Sequence, residues 1–345
     1  MDGPLKPNDM IEEGEKICFL ERADNLTSFG ENLLVSSDNL LFKINKTGEV
    51  ELYSEQEEYI TAVAVSELGE IAMGVAKKGI IILDSKKRTN LIRGTETLKC
   101  ITSLCFLYDG TLVLTNGSEK FFSKDWVYDL VNDGQSGSVI SISSDRKKLD
   151  VLVDGLAYPS GICQLAGQSN RLAVTETWNS KIVEIDRIKK RVERDLLIDL
   201  PSYPARLNQL SNGHYILTNY STRSQLIEFV LSEKRYLRRM IEEVPSQFWV
   251  APSLSSKNSF KEPLQAGGVI RLGIHKPWAP TCSYGLTIIL DSNFQPIDSA
   301  HSRANGNRHG ILSGAELKND VFVASKGNGE IVKLSGFINL FNKDN

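Results

Sequence analysis

Short runs of apolar and β-branched residues, broken by glycine and charged residues, dominate the chain. ITAVAVS, EIAMGVA and GIIILDS, within residues 60–85, are the clearest of them. Such runs predict antiparallel strands joined by tight turns. Several stay apolar at alternate positions, which suits strands packed on both faces.

The runs recur in sets of four. One set reads DNLTSF, NLLVSS, NLLFKIN, EVELYS over 24–54, and the next fills 60–94. A third occupies 101–154 with an insertion at 118–137, and a fourth fills 159–199. The fifth begins at 205–220 and resumes at 285–302; the sixth, over 310–336, ends one strand short. Six sets of about 40 residues predict an all-β fold, a six-bladed β-propeller. Two stacked β-sandwiches are the alternative. EKICFLE (15–21) has strand composition and is expected to pair beside EIVKLSG, closing the ring so that no edge is left unpaired. The expected domain is a single propeller over 15–338, with 1–14 and 339–345 as flexible termini.

One detour interrupts the strands, at 221–284, and it is the only clearly helical stretch. QLIEFVLSEKRYLRRMIEEV (225–244) places Leu226, Phe229, Val230, Leu237, Met240, Ile241 and Val244 at helical spacing. Pro245 stops the pattern. This helical insertion in blade five is expected either to cover the propeller axis or to pack on its side.

Composition narrows the function classes. With 40 basic and 43 acidic residues the formal charge is -3, which argues against a nucleic-acid binder with a phosphate-neutralising stripe and against a polybasic membrane-surface protein. The insertion's Lys234, Arg235, Arg238 and Arg239 are balanced by Glu228, Glu233, Glu242 and Glu243. Five scattered cysteines form no C-x-x-C pair, so no zinc or redox motif is expected. No secretory leader and no run of about 18 apolar residues is read, and a cytoplasmic setting follows as the expectation. No phosphate loop or dinucleotide fingerprint occurs, and no cofactor is expected.

Several segments resemble the strictosidine synthase-like family and the wider gluconolactonase, senescence-marker and paraoxonase-type propellers. LVDGLAYPSGICQLAGQSNRLAVTETWNSKIVEID (152–186) is similar to a region that carries a Pro-Asn-Gly turn and an Ala-Glu-Thr strand pair in the family. LPSYPARLNQLSNGHYILTNY (200–220) resembles the family's Gly-Tyr-Pro-Asp-Asn-Ile strand and the strand after it. Residues 109–143 resemble its strand with an acidic insertion. The resemblance covers roughly 20–335 in order and spacing, but not in the functional letters.

Metal-dependent members of that superfamily hold a calcium or other divalent ion on the axis with a Glu, Asn side chains and an Asp. At the matching positions this chain has Asp24, Ser160 and Ala205-Arg206, with Thr102 and Ser103 in the third set. A hard cation wants about six oxygens, several of them anionic, and an arginine beside one carboxylate repels it. No metal site and no calcium-dependent mechanism are therefore expected. The glutamate that serves strictosidine synthase as acid/base aligns with Leu312, so that chemistry does not carry over either.

The resemblance implies a small-molecule enzyme of the strictosidine synthase-like type. It would act without metal on an anionic organic metabolite, by condensation, lyase, or ester or lactone hydrolysis chemistry. HSRANGNRHG (301–310) brings two histidines and two arginines before the inner strand of the last set. His309, Asp24 and His301 are the candidate proton movers. Arg206 is expected to hold an anionic group, with Ser160, Thr102 and Arg303 as further contacts. Trp249, Trp278 and Tyr284 would shield the pocket. Each has a plainer role: Asp24 as an ion-pair partner of Arg206, the histidines and arginines as loop residues, Ser160 and Thr102 as hydrogen-bonding filler, the aromatics as packing for the insertion. Cys100 and Cys163 read as small buried hydrophobes. A non-catalytic ligand-binding or scaffold propeller, and a calcium lactonase with atypical ligands, are the alternatives.

Overall fold

The computed structural model describes residues 1–45, 47–93, 98–255, 270–271, 274–275, 281–335 and 337. Antiparallel strands are its main element. Four sheets have four strands each, taken in chain order: Ala23–Phe29 to Val50–Glu55, Ile60–Val65 to Thr89–Arg93, Ile101–Phe106 to Leu149–Leu156, and Pro159–Gln164 to Arg191–Leu197. An eight-stranded sheet holds two more runs. One is Ser202–Gln209, Tyr215–Thr222, Gly285–Leu290 and Pro296–Ser302. The other is Ile311–Leu317, Asp320–Ser325 and Glu330–Leu334, with Glu15–Phe19 antiparallel at its outer edge. A single bridge, Asn219 opposite Ile311, joins the two runs.

The first strands of these runs pack side by side in chain order, and the strand at 311–317 returns against the one at 23–29. They surround an axis, and the fold is an all-β, propeller-like one. Burial explains the residue choice. Ile71–Val75 and Gly79–Leu83 lie between neighbouring sheets and are buried at every position, hence their unbroken apolar sequence. Val50–Glu55, at an outer edge, is mostly exposed and mostly polar.

Helices are more numerous than the sequence reading expects. The stretch 225–244 is two helices, Gln225–Ser232 and Lys234–Glu243, because Glu233 between them leaves helical geometry (φ -85, ψ 76). Ser224 caps the first by accepting from the Ile227 amide. A further helix, Trp126–Val131, forms inside the 118–137 insertion. Val131 packs with Val230, Leu237, Met240, Trp249 and Ala251, so the two insertions share one apolar cluster.

The N-terminal residues also depart from the expected loose terminus. Ile11 is fully buried among Ile311, Val332 and Phe337. The Asn8 side chain donates to the Ser299 carbonyl (2.8 Å) and accepts from the His301 amide (3.1 Å). Arg308 donates to the carbonyls of Ile11, Glu12 and Gly14 at 2.7, 3.0 and 2.8 Å. The segment lacks any periodic pattern because side chains of the last sheets, rather than a ladder, satisfy its backbone. The C-terminal residues 339–345 lie outside the described residues.

Candidate functional site

Each first strand carries one unpaired residue near its start. The registers skip between Asp24 and Thr27, Ile60 and Ala62, Pro204 and Leu207, and Ile311 and Ser313. A bulge leaves its extra residue out of the ladder and re-aims it. Asn25, Thr61, Arg206 and Leu312 occupy those places, and they meet on the axis. The Arg206 guanidinium donates to Asp24 Oδ1 (2.6 Å), Asn25 Oδ1 (2.6 Å), the Thr61 carbonyl (3.1 Å) and the Leu312 carbonyl (3.1 Å). One side chain thus ties together four of the surrounding strands. Asn25 holds the uncommon left-handed conformation (φ 56) that turns its amide inward.

Asp24 is buried and receives a second cation, Lys326 Nζ, at 2.8 Å on its other oxygen. Burial pushes its carboxyl upward, but Arg206 and Lys326 outweigh burial and hold it below the usual carboxylate range. It is a charged partner for two cations, so it is a weak base.

This cluster forms one end of a cavity of about 380 Å³. Tyr158, Tyr220 and Trp126 wall it, with Leu254, Leu312 and Thr102. Arg22, Lys124, Arg206 and Lys326 face it against Asp24 and Asp38, an excess of two positive charges among the described residues. Arg22 is paired with Asp38 at the rim. Burial holds the Tyr220 phenol at about 12 and the Cys100 thiol at about 12, so both stay protonated at neutral pH. The insertion reaches the cavity through Leu254, whose backbone crosses Gly327. A Cβ there would meet the Leu254 carbonyl oxygen at 2.0 Å, so only glycine admits this crossing.

The structure brings together Asp24, Arg206 and Thr102 and leaves the other expected site residues elsewhere. Thr102 lines the cavity, but its hydroxyl is engaged by the Pro159 carbonyl (2.6 Å) and the Thr115 hydroxyl (2.8 Å). Ser160 is buried against the Thr177 hydroxyl at 2.7 Å. His309 is fully buried away from the cavity: Nε2 donates to the Arg303 carbonyl (2.9 Å) and Nδ1 accepts from Ser283 (2.8 Å). His301, on the outer strand Pro296–Ser302, is equally buried between Tyr284 (3.1 Å) and Ser299 (2.9 Å). Burial lowers both imidazoles, that of His301 to about 4. Both are neutral and face the packing between strands rather than the cavity, His301 from the outer strand and His309 from the segment that precedes Ile311–Leu317. Arg303 pairs with Asp9 on the surface, and Arg308 is taken up by Glu330 and the N-terminal carbonyls. Trp249 packs edge-on to Tyr128 (4.7 Å) and Tyr284 holds His301, so neither lines the cavity. Trp278 lies outside the described residues.

Lys326, Tyr220, Tyr158 and Trp126 are the residues that sequence reasoning missed. The repeat held a signal for two of them. Ser36, Tyr220 and Lys326 sit near the end of the second strand of their sets, and all three face the cavity.

Among the described residues, no group of three or more His, Cys, Asp or Glu is placed to hold a metal ion. No described helix is long and apolar enough to cross a membrane.

The fold and axial cavity are those of an all-β, propeller-like protein. No family model matches the chain. Its sequence is similar to adipocyte plasma membrane-associated protein of Rattus norvegicus, 22% identical over 314 residues that cover 82% of each chain. It is also similar to strictosidine synthase-like protein 4 of Arabidopsis thaliana, 25% identical over 151 residues, or 43% of this chain and 40% of that one. The fold is similar to that of a gluconolactonase from Xanthomonas campestris (TM-score 0.58, 11% identity, 92% of this chain and 87% of that one). A calcium-binding regucalcin from Agrobacterium tumefaciens superposes as well (TM-score 0.58, 8% identity, 93% of each chain). These likenesses match the strictosidine synthase-like and gluconolactonase-type resemblance carried by residues 109–143, 152–186 and 200–220.

Proposed function

We propose that the chain is a six-bladed propeller over residues 15–338, with the helical insertion in its fifth blade, whose axial cavity takes a small organic anion. The eight-stranded sheet counts as the fifth and sixth blades, which share one bridge. The carrying observation is the buried Asp24 carboxylate flanked by Arg206 at 2.6 Å and Lys326 at 2.8 Å, in a cavity with surplus positive charge. Arg206 makes all its described contacts within the protein and is already fixed. Lys326 makes one ion pair among the described residues, to Asp24, and its side chain is 32% exposed. It is the cation able to swing toward a ligand oxygen, with its aliphatic stem along the wall. A cytoplasmic setting and the absence of nucleic-acid or membrane partners complete the reading, resting on the balanced charge and on five free cysteines.

Hydrolysis of an ester or lactone is the second reading, favoured by the likeness to a gluconolactonase. The same cations would stabilise a developing oxyanion. Asp24 would have to activate the water, and its two cation partners make it a poor base. Binding therefore stands first. Both readings are metal-free, because the donor set does not fit a hard divalent ion. The axial oxygens of Asp24, Asn25, Thr61 and Leu312 already serve a guanidinium, and only one of them is anionic.

Thermal melts against matched organic acids and their neutral amides test the proposal. Acids are expected to raise the melting temperature and amides to leave it unchanged, and Lys326→Met should abolish the difference. Equal effects of acid and amide would remove the anion reading. Lactone and aryl-ester turnover in the same samples decides the hydrolytic one. Calcium and a chelator should give equal melting temperatures; a rise with calcium alone would overturn the metal-free part.

A further inference from the structure

We infer that the anion taken by the cavity is carried on an aromatic ring. This rests on the anion reading above and narrows its ligand class. Three of the cavity's rings belong to one interlocked cluster. Trp126 lies 5.4 Å from Tyr220 at an interplanar angle of 40°. Trp178, behind them, stacks on Tyr158 at 4.6 Å and 28°. It also lies 6.1 Å from Trp126 and 6.3 Å from Tyr220. A carboxylate fixes this shared indole, since Trp178 Nε1 donates to Asp129 Oδ1 at 2.8 Å.

Asp129 lies on the same short helix, Trp126–Val131, that carries Trp126 into the cavity. It is 1% exposed and packs against Gly134, where a Cβ would meet its Oδ1 at 2.0 Å. The ring faces are therefore set before any ligand arrives. Aliphatic walls of the same area would accept any apolar shape. Fixed ring faces favour a flat partner at about 4.5–7 Å, offset or edge-on.

A cage of rings also suits an organic cation, and the charges decide against one. Asp38 is paired with Arg22, and Asp24 with both Arg206 and Lys326. Lys124, from the insertion that supplies Trp126, is exposed at the cavity and has no partner among the described residues. An amine would meet uncompensated positive charge, whereas a ring acid places its carboxylate on Lys326 and its face on the aromatic wall.

Titration calorimetry and indole fluorescence on the full chain test this with a phenyl carboxylate, its cyclohexyl counterpart and benzyltrimethylammonium. The phenyl acid is expected to bind about tenfold tighter than the cyclohexyl acid and to quench indole emission. Trp126→Leu should bring the two acids to the same affinity, and Trp126→Phe should keep part of the difference, which separates ring contact from a folding defect. Equal binding of the two acids by the parent protein would overturn the aromatic class and leave the anion reading standing. Tighter binding of the ammonium, or no binding of either acid, would overturn both.

Discussion

Arg206→Leu lowers the stability of the folded chain by about 3–5 kcal/mol, the range found when one partner of a buried charge pair is removed. Four acceptors lose one donor each: Asp24, Asn25, and the carbonyls of Thr61 and Leu312. Asp24 keeps Lys326 and the Leu312 carbonyl keeps the Thr218 hydroxyl (2.8 Å), but Thr61 sits at a bulge and has no ladder bond to fall back on. For a chain of this size the loss corresponds to a fall of about 4–7 °C in melting temperature. Arg206→Lys should fall between, because an ammonium keeps the charge on Asp24 and cannot span four oxygens with a planar fork. Low millimolar guanidinium ion should restore part of the leucine variant's melting temperature, and tetramethylammonium should not. A leucine variant melting within about 1 °C of the parent would show that the guanidinium does not hold the strands together.

Acid unfolding begins well above the carboxylate range. His301 is neutral in the folded protein, lowered to about 4 by burial, then by the N-terminal charge and Arg303. Ser299 spends its hydroxyl proton on the Pro4 carbonyl (2.7 Å), so His301 Nε2 must donate to Ser299 and Nδ1 accept from Tyr284. The unfolded chain takes up its proton near pH 6.5 and the folded one only near pH 4, so stability falls as the pH drops through that window. The loss is on the order of 3 kcal/mol from this residue, and His309 adds to it in the same direction. Below that window Asp24 adds a further loss in the same direction. Its carboxyl is depressed in the folded state, so its stabilisation is present above the ordinary carboxylate range and is lost as the pH falls through its folded value. Urea melts between pH 7 and pH 4 should show His301→Gln with a shallower acid limb than the parent. An unchanged slope would mean that this imidazole titrates freely in the folded protein.

The propeller-like fold was legible because its signal is local. Strand runs such as ITAVAVS and GIIILDS declare their period within a few residues, and their spacing declares the repeat. The axis was legible only in part. Asp24, Thr102 and Arg206 stand at the starts of first strands, and they do reach the cavity. Which way a side chain points there depends on bulges, and a one-residue shift reverses the face. That is why HSRANGNRHG misled: its histidines look like site chemistry, but they answer the hydroxyls of Ser283, Tyr284 and Ser299 inside the sheet packing. The aromatic wall was illegible for a different reason. Trp126, Tyr158, Trp178 and Tyr220 come from an insertion and two separate sheets, and nothing along the chain joins them before they meet.

The strand that borders Glu330–Leu334 is made at the other end of the chain, at Glu15–Phe19. During synthesis it therefore waits for a partner while more than 300 residues are added. The earlier sheets can form as they emerge, but both the strand at 15–19 and its neighbours keep a bare edge until residues 330–334 have emerged. Slow elongation or premature termination before residues 330–334 would leave the molecule with two adhesive margins, the condition under which it is most prone to join a neighbour instead of itself.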